Sequence, residues 1–228
     1  MVILSVVTRL FGVFPDRLQR YVWELAERNT LLLWMRVYFT KGTIFKKKGW
    51  FESSVSGGVP VDGSGNPTPW YTYSAIDFLD ERISRDLRVF EYGGGYSTIW
   101  YAQRVEEVIA VEDSKEWTEI VTKRLPRNGE IVYRDSKKEY TGEILNREKF
   151  DIVVIDGSYR TDCVESSLKS LSDQGVIIWD DFDWLDEDDY QLLIEDGFSV
   201  LPFRGLKAGE ASYKCTAIFY RENNCLGI

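Results

Sequence analysis

The chain has 228 residues, 44% of them apolar, with 37 acidic against 28 basic side chains and a formal charge of −9. That length suits one domain with an extension or two small domains, and that charge argues against holding nucleic acid by broad phosphate neutralisation. Histidine is absent, which removes the commonest general base, Ser–His nucleophiles and His-ligated metals, so any metal is expected on oxygen ligands.

The opening residues, MVILSVVTRLFGVF, are apolar but interrupted by Arg9, and no run is long enough to span a bilayer. They read as a helix docking on the domain, with interfacial membrane contact through residues 1–14 as the alternative. Residues 1–49 read as helical: Leu18, Tyr21, Val22, Leu25, Leu31, Leu32 and Met35 recur at spacings that line one face, and Asp16 is an N-cap candidate. Lys41, Lys46, Lys47 and Lys48 are the one evident basic cluster, read as a solvated loop. Residues 52–69, rich in Gly, Ser and Pro, break regular structure and form a linker or a lid loop. The organisation expected is therefore a helical extension over 1–51, that loop, and a main domain over 70–228. A homodimer or partner contact through the helical N-terminus stays open.

Trp70–Ile83 reads as a helix carrying Ile76, Leu79 and Ile83 on one side. Strands are expected at 88–92, 107–112, 130–134, 150–155, 175–179, 198–203 and 212–220. Helices are expected near 97–104, 115–124, 161–171 and 186–195. Such alternation predicts an α/β, Rossmann-like, doubly wound and mostly parallel sheet of seven strands. The 203–211 connection is too short for a helical crossover, so the last two strands form an antiparallel hairpin. Cys163, Cys215 and Cys225 are odd in number and far apart, without a CxxC pattern; they read as reduced, structural cysteines of a cytoplasmic protein.

The chemistry centres on Arg88–Glu112, a strand, a glycine turn at Gly93, Gly94 and Gly95, a helix, and a second strand ending on an acid. Such a unit sets backbone N–H groups and a helix N-terminus beside a nucleotide-type ligand, with Glu112 placed to accept from ribose hydroxyls. A dinucleotide fingerprint wants a third glycine where Thr98 stands, and Glu91 precedes the turn. Glu112, Asp135 and Asp156 follow successive strands, at the end that lines the ligand crevice of an open parallel sheet.

The segments VFEYGGGYS, VIAVED, YRDS, FDIVVIDGSYR and GVIIWDDFD resemble those of class I S-adenosylmethionine-dependent methyltransferases, in particular an uncharacterised bacterial small-molecule branch, over roughly residues 69–220. The resemblance implies that Glu91, Gly93 and Gly95 hold the methionine end of the cofactor, that Glu112 takes the ribose, that Asp135 with Ser136 lies near the adenine, and that Tyr73, Ser97 and Asp156 also belong to the cofactor-binding set. Trp70, Tyr71 and Tyr73 are candidates for a face toward the sulfonium, for the acceptor wall, or for plain helix packing. Asp156, with Tyr159 and Arg160 beside it, is expected to align and deprotonate the acceptor. Asp156, Asp180 and Asp181 resemble the Mg²⁺ site of catechol-type O-methyltransferases, with Asp181 where that family has Asn; the other reading has Asp181 and Asp183 capping the next helix. Arg160 either orients an acceptor or neutralises these acids. The implied activity is methyl transfer to a small-molecule or glycan-like acceptor, at oxygen and without nucleic acid. The alternatives are an NAD-dependent oxidoreductase, an aminopropyltransferase, and a non-catalytic binding module.

Overall fold

The computed structural model describes residues 29–40, 42–55 and 59–228. The readings placed on Leu18, Tyr21, Val22, Leu25, Asp16 and residues 1–14 fall outside the described residues. Three short helices come first: α1 (Thr30–Phe39), α2 (Ile44–Lys47) and α3 (Trp50–Val55). Helix α3 runs across the boundary expected at residue 52. It is anchored to the main domain, because Trp50 Nε1 donates to the Glu210 carbonyl (2.8 Å) and the buried Ser53 hydroxyl bonds the backbone of Val61. The Gly/Ser/Pro stretch is tied into a turn by Asp62, whose Oδ1 accepts from the N–H groups of Ser64 (2.8 Å) and Asn66 (2.9 Å).

The rest is an alternating α/β unit. In chain order it comprises α4 (Tyr73–Asp80), β1 (Arg88–Tyr92), α5 (Tyr96–Ala102), β2 (Glu107–Glu112), α6 (Lys115–Thr122), β3 (Gly129–Tyr133) and α7 (Lys137–Gly142). There follow β4 (Phe150–Ile155), α8 (Val164–Ser170), β5 (Leu171–Trp179), α9 (Glu187–Glu195), β6 (Ser199–Gly205) and β7 (Lys214–Tyr220). The seven strands lie in the order β3-β2-β1-β4-β5-β7-β6. The first five are parallel, and β7 runs antiparallel between β5 and β6. The expected seven-stranded sheet with a closing hairpin is present.

Side chains alternate across the strands and so build two cores. Val89, Val108, Ile152, Val154, Val176 and Ile178 pack on one face with Leu79, Trp100 and Tyr101. Phe90, Val111, Val153, Ile155, Ile177 and Trp179 pack on the other with Tyr140, Ile144 and Phe219. Burial on both faces explains why these strands read as continuous apolar runs.

Three elements differ from expectation. Helix α4 begins at Tyr73 instead of residue 70, because the preceding segment is extended: Thr72 bridges Lys207 and its N–H donates to Thr216 Oγ1 (3.0 Å). Strand β5 begins at Leu171, which pairs with Phe150 across an irregularity in register before the regular pairing at Val176. Helix α7 was not anticipated. Its sequence KKEYTG is mostly polar, but Ser136 caps it, accepting from the N–H of Glu139 (3.3 Å).

Candidate functional site

The C-terminal ends of β1, β2, β4 and β5 open into one cleft of about 620 Å³. The glycine turn, Glu112 and Trp117 line one end, and Trp70, Arg160, Asp180, Asp181 and Lys207 line the other. Asp156 and Gly157 lie between them. Such a crevice at strand ends is where open α/β sheets bind ligands.

The turn is shaped by contact between backbones. Gly93 has φ +94°, and a Cβ there would stand 2.6 Å from the Gly157 Cα. No side chain fits that seam. Across it, the Ser158 hydroxyl donates to Asp113 Oδ2 (2.6 Å), joining the loops after β4 and β2.

The N–H groups of all three glycines are already used. Those of Gly93 (2.9 Å) and Gly94 (3.3 Å) donate to the Val111 carbonyl, and that of Gly95 donates to Thr98 Oγ1 (2.8 Å). The Thr98 hydroxyl in turn donates to Glu91 Oε2. Thr98, at the position where a dinucleotide site has its third glycine, therefore links the turn to the buried acid below it. The glycine turn offers no cradle of donors to a pyrophosphate. This corrects the expectation of ligand-facing N–H groups there and argues against a dinucleotide.

The acids around the turn suit a cation. Glu91 is fully buried, and its Oε1 makes no hydrogen bond among the described residues. Burial pushes its carboxyl up to about 7, against the pull of the Ser97 and Thr98 hydroxyls. Glu112 is pushed up to about 7 as well, by burial first and by neighbouring Asp113, although its Oε1 accepts from the Ser114 N–H (2.8 Å). A positively charged ligand would reverse both shifts. The ammonium, sulfonium and ribose hydroxyls of S-adenosylmethionine match this set of acceptors.

At the far end Asp156 is held by its N–H to the Tyr92 carbonyl (3.0 Å). Burial and the charge of Asp180 hold its carboxyl well above the ordinary carboxylate range, and Arg160 and Lys207 offset this only in part. Arg160 donates through Nε to the Gly157 carbonyl (3.0 Å) and through its terminal nitrogens to the Asp180 carbonyl and toward Asp156 Oδ1 (3.4 Å). Of the two readings of Arg160, the geometry displays neutralisation of neighbouring acids.

The carboxylate oxygens of Asp156, Asp180 and Asp181 come within 4.8 Å of one another. Their counter-charge is a side chain. Lys207, only 3% exposed, reaches Asp180 Oδ2 and Asp181 Oδ1 (2.7 Å). Asp181 also meets Lys214 (3.3 Å) and Arg160 (3.5 Å), while Thr216 donates to Asp180 Oδ1 (2.7 Å). Magnesium prefers near-octahedral oxygen ligands and water, and here it would have to displace a buried ammonium. The residues do not fit the expected Mg²⁺ site.

Among the residues singled out from sequence, Gly93, Gly95, Ser97, Glu112, Asp156, Arg160, Asp180 and Asp181 line the cleft. Glu91 lies beneath the turn. Tyr73 does not share the cleft: with the helix starting there, it lines a separate pocket with Lys48, Asp77 and Trp100. Of Trp70, Tyr71 and Tyr73, it is Trp70 that lines the cleft, held by its Nε1 donating to the Ala208 carbonyl (3.0 Å). Tyr159 is outside the lining too, edge-on to Tyr140 with ring centroids 5.7 Å apart. Asp135 and Ser136 are exposed beyond β3, and Ser136 serves as the cap of α7. Asp183 accepts from the Cys215 N–H (2.9 Å), and the cap of α9 is Asp186. Lys207 and Trp117 were missed. Trp117 Nε1 donates to the Gly94 carbonyl (2.9 Å), and the ring stacks on Tyr96 at 6.0 Å.

Residues 90–182 match a family model described as a methyltransferase domain. No curated protein matches the chain. Solved structures share its fold at low identity. An rRNA methylase from Streptococcus thermophilus is 17% identical with a TM-score of 0.50, the match covering 65% of this chain and 95% of that one. Precorrin-6y C5,15-methyltransferase from Geobacter metallireducens is 15% identical with a TM-score of 0.55, over 73% and 93%. A methyltransferase from Pyrococcus furiosus is 14% identical with a TM-score of 0.50, over 77% and 94%. The matched segment spans less than half of the 228-residue chain and contains the glycine turn, Glu112, Asp156, Asp180 and Asp181, so this end of the sheet is similar to a methyltransferase domain.

Proposed function

We propose that this enzyme methylates an oxygen of a small-molecule or glycan-like acceptor, with Asp156 receiving the acceptor's proton. The observation that carries this reading is the position of Asp156, midway along a single cleft between the acid-lined glycine turn and the Trp70–Lys207 end. When bound, the cofactor supplies an electrophilic methyl on a sulfonium, so the protein's work is alignment and proton removal. Glu112, Gly93, Gly95, Ser97 and the buried charge of Glu91 hold the cofactor, and Asp135 with Ser136 borders the same edge of the sheet. A carboxylate whose proton affinity is raised by burial is a competent base near neutral pH. Lys207 fixes Asp180 and Asp181, and Arg160 reaches the Asp156 carboxylate at 3.4 Å, so Asp156 is the least tied of the three acids at the open volume. No step requires a metal.

Calorimetry with S-adenosylhomocysteine tests the cofactor half: wild type binds, and Glu112→Ala binds at least about tenfold more weakly. Asp156→Asn should keep that binding and lose about 10²-fold or more in turnover. Turnover is read as the mass gain of one methyl group on a panel of sugars, phenols, lipid-linked glycans and RNA. RNA belongs on the panel because the expectation of no nucleic acid rests on the charge of −9 alone, and an rRNA methylase shares the fold. Retained turnover in Asp156→Asn would remove the proposed base.

A further inference from the structure

The connection between β6 and β7 turns at Lys207–Glu210, where the Glu210 N–H donates to the Lys207 carbonyl (3.3 Å) and Gly209 takes φ +72°. The turn is pinned along its length. Trp70 Nε1 donates to the Ala208 carbonyl (3.0 Å) and Trp50 Nε1 to the Glu210 carbonyl (2.8 Å). A Cβ on Gly209 would stand 3.1 Å from the backbone of Ser53 and Ser54, so α3 lies directly against the turn. This fixed wall carries Glu210 and holds Trp70 at the end of the cleft beyond Asp156.

Charge at this end is not closed. Four carboxylates, Asp156, Asp180, Asp181 and Glu210, line it with three basic side chains, Arg160, Lys207 and Lys214. Arg160 lies toward Asp156 (3.4 Å), Lys207 holds Asp180 and Asp181, and Lys214 meets Asp181 (3.3 Å). Glu210 has no basic partner among the described residues, and its Oε2 accepts from the neutral Ser212 hydroxyl (3.0 Å). Trp70 is 40% exposed, with its ring edge fixed through Nε1.

An indole and an unpaired carboxylate set against one fixed turn are the groups that recognise an ammonium. We infer, on the reading of this end as the acceptor side, that the acceptor carries a protonated amine held by Glu210 and Trp70. An amine so held keeps its proton and has no lone pair to offer, so the methylated oxygen lies elsewhere in the molecule, at Asp156. A phosphorylated acceptor or a nucleic-acid strand would add negative charge beside Glu210, and a neutral acceptor would leave that charge unbalanced.

The test is calorimetry on the full chain with probe pairs that differ by the amine: glucosamine against glucose, and tyramine against 4-ethylphenol. The aminated member of each pair should bind at least about tenfold more tightly. Glu210→Gln should abolish that advantage, and Trp70→Leu should reduce it. Circular dichroism is recorded first, and Glu210→Gln alone decides the matter if Trp70→Leu disturbs the fold. Titrations are run with and without S-adenosylhomocysteine, so a failure of the cofactor reading shows itself separately. Binding is read without turnover, so the result does not depend on Asp156 as the base. Equal binding within each pair, no binding of any probe, or an advantage that survives Glu210→Gln would overturn the inference.

Discussion

Replacing Lys207 by methionine tests whether the acids at the end of β5 are held by an internal ammonium. The substitution keeps the length and most of the apolar stem while removing the charge. Two ion pairs are lost, to Asp180 and Asp181, but the consequences are unequal. Asp181 retains Lys214 and Arg160. Asp180 is 1% exposed and, among the described residues, keeps the Thr216 hydroxyl on its side chain. Removing one partner of a buried pair costs about 3–5 kcal/mol. Thr216 and the freedom of Asp180 to take up a proton place the value near the lower end, at about 3 kcal/mol.

Urea unfolding followed by tryptophan fluorescence measures that loss. Asp180 already sits above its ordinary value of 3.8, chiefly through burial, with Lys207 pulling it down. Without Lys207 the folded-state value climbs further while the unfolded value is unchanged. The folded variant then binds more protons than its unfolded chain between those values, so its stability falls as pH rises through that window. The deficit should be greatest near neutral pH and shrink as the solution is acidified toward 3.8. Lys207→Met with Asp180→Asn, which still accepts from Thr216, should return to within about 1 kcal/mol of wild type. A single variant that loses less than about 1 kcal/mol, or a double variant no better than the single, refutes the reasoning.

Two further outcomes follow from the other end of the cleft. Gly93→Ala should cost at least about 2 kcal/mol and abolish S-adenosylhomocysteine binding, since a positive φ and a backbone clash act together. Gly95→Ala, whose nearest neighbour would be 3.5 Å away, should fold normally; equal behaviour of the two in calorimetry and melting would disprove the seam. Glu91 and Glu112, both pushed up to about 7, must be ionised to favour a cation. Calorimetric affinity should therefore rise about tenfold per group from about pH 6 to about pH 8, while the ligand-free protein loses stability as pH rises from the ordinary value of about 4.5 toward 7. A flat affinity profile would remove these acids from cofactor binding.

Much of the fold was readable because each parallel strand is buried on both faces and flanked by turn residues, so Val108–Val111 and Ile152–Ile155 announce themselves. Helix α7 escaped because a single large residue, Tyr140, docks it, leaving no periodicity; the Ser136–Glu139 spacing was its one local sign. The glycine turn and Glu112 were legible as local motifs. Lys207 was not, because it comes from the connection between β6 and β7 and acquires its meaning only beside Asp180, which lies 27 residues earlier. Three acids at neighbouring strand ends do demand positive charge, and the sequence cannot distinguish an ion from a distant lysine. Tyr73 was misplaced because the extended pairing of Thr72 with Lys207 shifts the helix start and brings Trp70 to the cleft instead.

The meeting of Gly93 and Gly157 bears on reshaping this cleft to admit bulkier ligands. A wall made of main chain has no side chain to shorten, so that surface cannot be carved by substitution. Any widening has to come from the side-chain walls, where Trp70 and Trp117 are the largest groups. Of these, Trp117 also steadies the glycine turn through Gly94. Trp70 is therefore the position from which a broader cleft would be engineered.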